Sequence, residues 1–164
     1  MNKQGTLILL CGLPGAGKST LARRMAEERG AVWLSPDSWI EALLADPLDV
    51  AERDRLRDPV ENLQWDHAQV LLAQGMTVIL DNGFWAEEER SAYAAVALEL
   101  GARIELYYLE VPFEELWRRV ALRNEQLERP TFVMSRGDVE HWWPQFQPPT
   151  EEEMAFYDAW GVVK

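Results

Sequence analysis

The chain has 164 residues, with 16 Lys or Arg against 28 Asp or Glu, a formal net charge of -12 and a pI near 4.6. That length suits one α/β domain with a full hydrophobic core and is short for two, so a single domain over 1–164 is expected. The acidity argues against a broad DNA or RNA footprint while leaving room for a local basic groove. The one cysteine, Cys11, allows no internal disulfide and points to a reducing, cytoplasmic compartment. The N-terminal run lacks the layout of a signal peptide, and no apolar run approaches membrane-spanning length.

Thr6 to Cys11 is a short continuous apolar run, as expected of a parallel strand buried on both faces. It leads into Gly12-Leu13-Pro14-Gly15-Ala16-Gly17-Lys18-Ser19, which fits the phosphate-loop pattern G-x-x-x-x-G-K-[ST] at every fixed position. Glycines let the backbone curl with its N–H groups inward, Lys18 can reach the β and γ phosphates, and the Ser19 hydroxyl is placed to ligate Mg²⁺. Thr20 follows on the same helix N-terminus, whose dipole favours an anion. The helix is predicted over Ser19–Arg29, stopped by Gly30.

Ala31–Leu34 is a second buried strand, and Asp37 lies just beyond its end, where open α/β sheets bind ligands. Asp37 is the candidate base that accepts the proton of an attacking hydroxyl. The alternative is a first-turn acid matched to the helix dipole, with Ser35 as N-cap and Pro36 at the first helical position. Trp39, Ile40, Leu43 and Leu44 predict a short amphipathic helix ended by Asp46-Pro47. The charged stretch Asp49–Asp58 reads as a solvated helix or loop. Pro59 then starts a longer helix with Val60, Leu63, His67, Val70 and Leu71 on one face, which makes His67 a hydrogen-bonded core residue.

Met76–Leu80 is a third strand ending in Asp81-Asn82-Gly83. Asp81 is the candidate for orienting Mg²⁺ and its water, although Asp-Asn-Gly is also ordinary turn chemistry; Asn82 either contacts substrate or fixes the turn. Ala86–Leu100 reads as a helix whose Glu87, Glu88 and Glu89 match its dipole, followed by a strand at Arg103–Leu109. Val111-Pro112 opens a helix with Phe113, Leu116, Trp117 and Val120 inward. Its Arg119 and Arg123, four apart on one face, can converge on phosphates, and with Arg129 they make a candidate lid; Arg118 lies at another angle. For any one of these arginines, and for Arg136, surface ion pairing is the competing account. Trp142, Trp143 and Trp160, three of eight tryptophans, read as packing of a lid or tail. Thr150 and its glutamates read as a capping box for a last helix, Glu151–Trp160, with Val162-Val163 at most a short edge strand.

Gly12 to Ser19, Asp37, Asp81, the Leu122-Arg123-Asn124 to Arg129-Pro130 segment and Pro148-Pro149-Thr150-Glu151 together resemble the P-loop kinase group of polynucleotide 5′-hydroxyl kinases, zeta toxins and chloramphenicol phosphotransferase. The resemblance implies a three-layer αβα fold, a parallel sheet of order 2-3-1-4-5, ATP with Mg²⁺, a lid over about 118–150, and a hydroxyl acceptor deprotonated by Asp37. Polynucleotide kinases usually carry a basic residue near that aspartate, whereas here its neighbours are Ser35, Pro36, Ser38 and Trp39. A small, partly apolar acceptor is therefore favoured over nucleic acid. The expected activity is transfer of the γ-phosphate of ATP to a small-molecule hydroxyl, with Lys18, Asp37 and Arg123 catalytic. A polynucleotide 5′-kinase and a nucleotide-dependent switch are the alternatives.

Overall fold

The computed structural model describes residues 3–129 and 131–164; Pro130, within the lid expected over about 118–150, lies outside them. Five strands, β1 (Thr6–Cys11), β2 (Val32–Leu34), β3 (Thr77–Gly83), β4 (Arg103–Leu109) and β5 (Ala159–Val163), form a wholly parallel sheet of order β2-β3-β1-β4-β5. Alternate side chains of the central strands go to opposite faces. Leu7, Leu9, Val78 and Leu80 pack with α3 (Val50–Ala73) and α4 (Glu87–Glu99) on one side. Ile8, Leu10 and Ile79 pack with α1 (Lys18–Arg29) and α5 (Phe113–Glu125) on the other. The result is the three-layer αβα arrangement, with the carboxyl ends of β1, β2 and β3 opening onto one crevice.

The third helix differs from expectation in extent and in phase. Asp49 caps it by accepting from the Glu52 N–H at 2.9 Å, so it begins nine residues before Pro59, which lies inside it. Pro59 sits on the solvent side, where water can take the Arg55 carbonyl that it leaves without its usual donor. The buried stripe is Val60, Gln64, Ala68 and Leu72. Leu63 and Val70 are 59% and 53% exposed, and His67 is exposed rather than a core residue.

The C-terminal region also departs from its reading. The expected helix to Trp160 stops after one turn as α7 (Glu151–Met154), and the chain returns as β5 beside β4. Thr150 Oγ1 does accept from the Glu153 N–H at 3.1 Å, but the Glu153 carboxylate bonds to Arg90 instead of returning to the cap. Trp142, at the end of α6 (Arg136–Trp142), packs on Trp85 with ring centroids 6.3 Å apart, and Trp143 stands edge-on to Phe113 at 5.4 Å. Trp160 is 48% exposed.

Candidate nucleotide and acceptor site

Gly15 and Gly17 turn the loop between β1 and α1 through left-handed backbone, at φ 88° and 100°. A Cβ on Gly15 would stand 2.6 Å from Val120 Cγ2, so this glycine is required by both torsion and space. Gly17 is the N-cap of α1 and brings no side chain to the first-turn amides, leaving them directed at the loop. Lys18 Nζ donates to the carbonyls of Gly12 and Leu13 at 2.8 and 2.9 Å, which aims its ammonium inward. Desolvation there pushes its pKa down to about 8, against the pull of Asp81 and Asp37. Ser19 and Thr20 are exposed on the first turn of α1.

Asp81 is buried near the end of β3, and its Oδ2 accepts from Trp33 Nε1 of β2 at 3.0 Å. Burial raises its pKa to about 6, with the Trp33 bond and Lys18 opposing. A carboxylate held off solvent and coupled to the loop lysine suits a cation brought in by a nucleotide. Among the described residues no cluster of three His, Cys, Asp or Glu side chains exists to hold a metal by itself. The Ser19 hydroxyl and the Asp81 carboxylate are hard oxygen donors, the chemistry that would hold Mg²⁺ beside a bound triphosphate.

Asp37 lies in the first turn of α2 (Pro36–Leu43), with Pro36 at the expected helical position; Ser35 makes no side-chain cap. Its side chain is 73% exposed, and Arg57 of α3 donates to it, Nη2 to Oδ1, at 2.7 Å. Arg57 also donates to Glu61 at 3.3 Å; burial raises the Glu61 pKa to about 7 against that attraction. The basic neighbour missing from the sequence around Asp37 thus comes from a residue twenty positions later. Its trace in the sequence was the Arg57, Glu61 spacing on a helix continuous through Pro59.

The lid arginines divide. Arg119 reaches the phosphate loop, donating to the Ala16 carbonyl at 3.3 Å, and is held by Glu115 at 2.9 Å. Arg123 and Arg129 are exposed and line a polar groove of about 470 Å³ with Glu41, Gln126, Glu128 and Thr131. Among the described residues neither makes an ion pair. Thr131 donates to Glu41 of α2 at 3.2 Å, so this groove spans the lid and the helix of Asp37. Arg118 pairs with Glu115, and Arg136 with Glu114 and Glu140, on the surface. On the other flank of the loop, Leu13, Ala16, Tyr108, Leu116, Trp143 and Phe146 line an apolar cavity of about 280 Å³.

A β-strand, glycine loop and helix, with Asp81 near the end of the adjacent β3 and Asp37 shortly after β2 beyond it, define a P-loop NTPase of the kinase type. The chain belongs to the AAA domain family, whose match spans residues 7–149. It is 30% identical to adenylate kinase of Thermus thermophilus over 98% of this chain and 87% of that protein. A candidate kinase of Chloroflexus aurantiacus has the same fold at a TM-score of 0.76 and 20% identity, covering 98% of this chain and 85% of that one. The Pnkp1/Rnl/Hen1 RNA repair complex contains a chain similar at a TM-score of 0.67 and 22% identity, over 88% of this chain and 45% of its own. Kinases of this fold use ATP with Mg²⁺. Among the described residues no helix is long and apolar enough to cross a membrane.

Proposed function

We propose that this protein is an ATP-dependent phosphotransferase that moves the γ-phosphate to a hydroxyl of a small molecule. The observation that carries the reading is Asp37, solvent-accessible at the mouth of the crevice and held by Arg57 at 2.7 Å. The loop amides and Lys18 hold the triphosphate, and Ser19 and Asp81 hold Mg²⁺, which draws charge off the phosphates. Asp37 accepts the proton as the acceptor oxygen bonds to the γ-phosphorus and the bridging oxygen departs with ADP. Arg119 braces the loop, while Arg123 and Arg129 receive charge that develops on transfer. The adenylate kinase relative supports a small-molecule acceptor. The expected cytoplasmic setting, and action as one unit over 1–164, belong to the same proposal.

The test is phosphate transfer from γ-labelled ATP to a panel of hydroxyl metabolites. Asp37→Asn is expected to bind ATP as the wild type does and to transfer none; transfer at the wild-type rate overturns the assignment of the base.

A polynucleotide 5′-hydroxyl kinase is the second reading, favoured by Arg57, a cation beside the base that can hold a nucleic-acid phosphate. Salt-dependent binding of a short oligonucleotide, weakened in Arg57→Ala, would select it; no binding at low salt removes it.

A further inference from the structure

Arg90 of α4 is fully buried, at 0% exposure. Its Nε and Nη2 donate to the two carboxylate oxygens of Glu153 at 2.6 and 2.9 Å, and its Nη1 donates to the Phe84 carbonyl at 2.8 Å. A buried ion pair of this kind gives little stability over an apolar pair of similar size, so its presence calls for another account.

What it grips is unusual. Phe84 is the only non-glycine with positive φ among the described residues, at 46°, and it follows Gly83 at 92°. Backbone of this sort persists only where its surroundings over-determine it. The Gly83 carbonyl accepts the Gly12 N–H at 3.0 Å, and the Gly12 carbonyl accepts Lys18 Nζ at 2.8 Å. A Cβ on Gly83 would lie 3.3 Å from that Gly12 carbonyl, so the turn after β3 presses against the start of the phosphate loop. Asp81 stands two residues before Gly83 on the same strand. Hydrogen bonds and the two-residue turn therefore run without a break from Glu153, through Arg90 and Phe84-Gly83, to Gly12 and the loop lysine.

We propose that Arg90 and Glu153 are a positioning pair for the triphosphate site. They hold the turn after β3 so that Asp81 and the Gly12–Ser19 loop keep the mutual spacing that a magnesium-bound triphosphate needs. This rests on reading the loop as an ATP site, and it assigns the pair no contact with substrate.

The test compares the wild type with Arg90→Met/Glu153→Leu, in which an apolar pair replaces the charges. Thermal unfolding and near-UV circular dichroism report the fold, and calorimetry reports ATP affinity with Mg²⁺ and with EDTA. The double variant is expected to stay folded and to lose MgATP affinity at least ten-fold, with a smaller loss in EDTA. A purely structural pair would leave the ratio of the two affinities as it is in the wild type. A folded variant that binds MgATP within two-fold of the wild type, or loses both affinities equally, overturns the inference. If the double variant does not fold, Glu153→Gln decides: it is expected to lower MgATP affinity at least three-fold, and an unchanged affinity overturns the proposal. Wild-type protein that binds no ATP at all overturns the reading of the site itself, and the pair's role with it.

Discussion

Arg57 on α3 and Asp37 on α2 meet at 2.7 Å across the mouth of the crevice, joining residues twenty apart in sequence. Both are accessible, at 39% and 73% of their side-chain surface, so the contact contributes at most about 1 kcal/mol to folding. Arg57→Met is accordingly expected to leave the unfolding temperature within about 4 °C of the wild type while lowering phosphate transfer several-fold. Transfer assays beside thermal melts separate the two effects, and a large melting shift with normal transfer would mark the pair as structural.

The raised pKa of Asp81 has a defined sign. Its folded value, about 6, lies above the ordinary carboxylate value, so the native state binds the proton more tightly than the unfolded chain does. Its contribution is fully favourable below about pH 4 and is lost as pH rises through 6. Asp81→Asn should therefore stabilise the nucleotide-free protein at neutral pH, by on the order of 1–3 kcal/mol, and not at pH 4. In the wild type the Mg²⁺-dependent part of ATP affinity should fall as pH drops through about 6, and in the variant it should be absent. Denaturant melts and calorimetry across pH check both.

Lys18 shifts the other way, down to about 8. Phosphate oxygens restore its proton, so nucleotide binding takes up a proton once pH exceeds 8, and affinity falls by about a decade per pH unit above that value. Calorimetry in buffers of different ionisation enthalpy measures the uptake directly. Lys18→Ala should abolish both the uptake and most of the affinity.

Gly15→Ala meets two obstacles, a left-handed φ of 88° and Val120 Cγ2 at 2.6 Å from the new Cβ. We expect a loss of about 1–3 kcal/mol and of ATP binding. Adding Val120→Ala removes the clash and leaves the torsional strain, so it should fail to restore binding. Full recovery in the double variant would show that space alone requires this glycine.

Several elements could be read directly from sequence because their causes are local. Thr6–Cys11, an unbroken apolar run between two glycines, and Arg103–Leu109, rich in aromatic and branched residues after Gly101, have the same ends in sequence and structure. The phase of α3 is ambiguous in sequence because Leu63, Val70 and Leu71 offer a plausible stripe beside the buried one of Val60, Gln64, Ala68 and Leu72. Which stripe turns inward depends on what packs there, including the Gln64 side-chain bond to the Ser35 carbonyl at 3.1 Å. Thr150 followed by three glutamates satisfied the pattern of a cap, yet Glu153 belongs to Arg90, sixty-three residues earlier.

Sequence alone determined where the glycine-lysine loop between β1 and α1, Asp37 shortly after β2, Asp81 near the end of β3 and the arginines of the helix after β4 fall along the chain, because their spacing is set by covalent geometry over a few residues. Only the tertiary structure decided that Arg57 faces Asp37, that among the described residues Arg119 bonds to the loop while Arg123 and Arg129 line a separate groove, and that Arg90 joins Glu153 to the Phe84 carbonyl. Those are contacts between elements, fixed by how helices seat on the two faces of the sheet, and no local pattern encodes them.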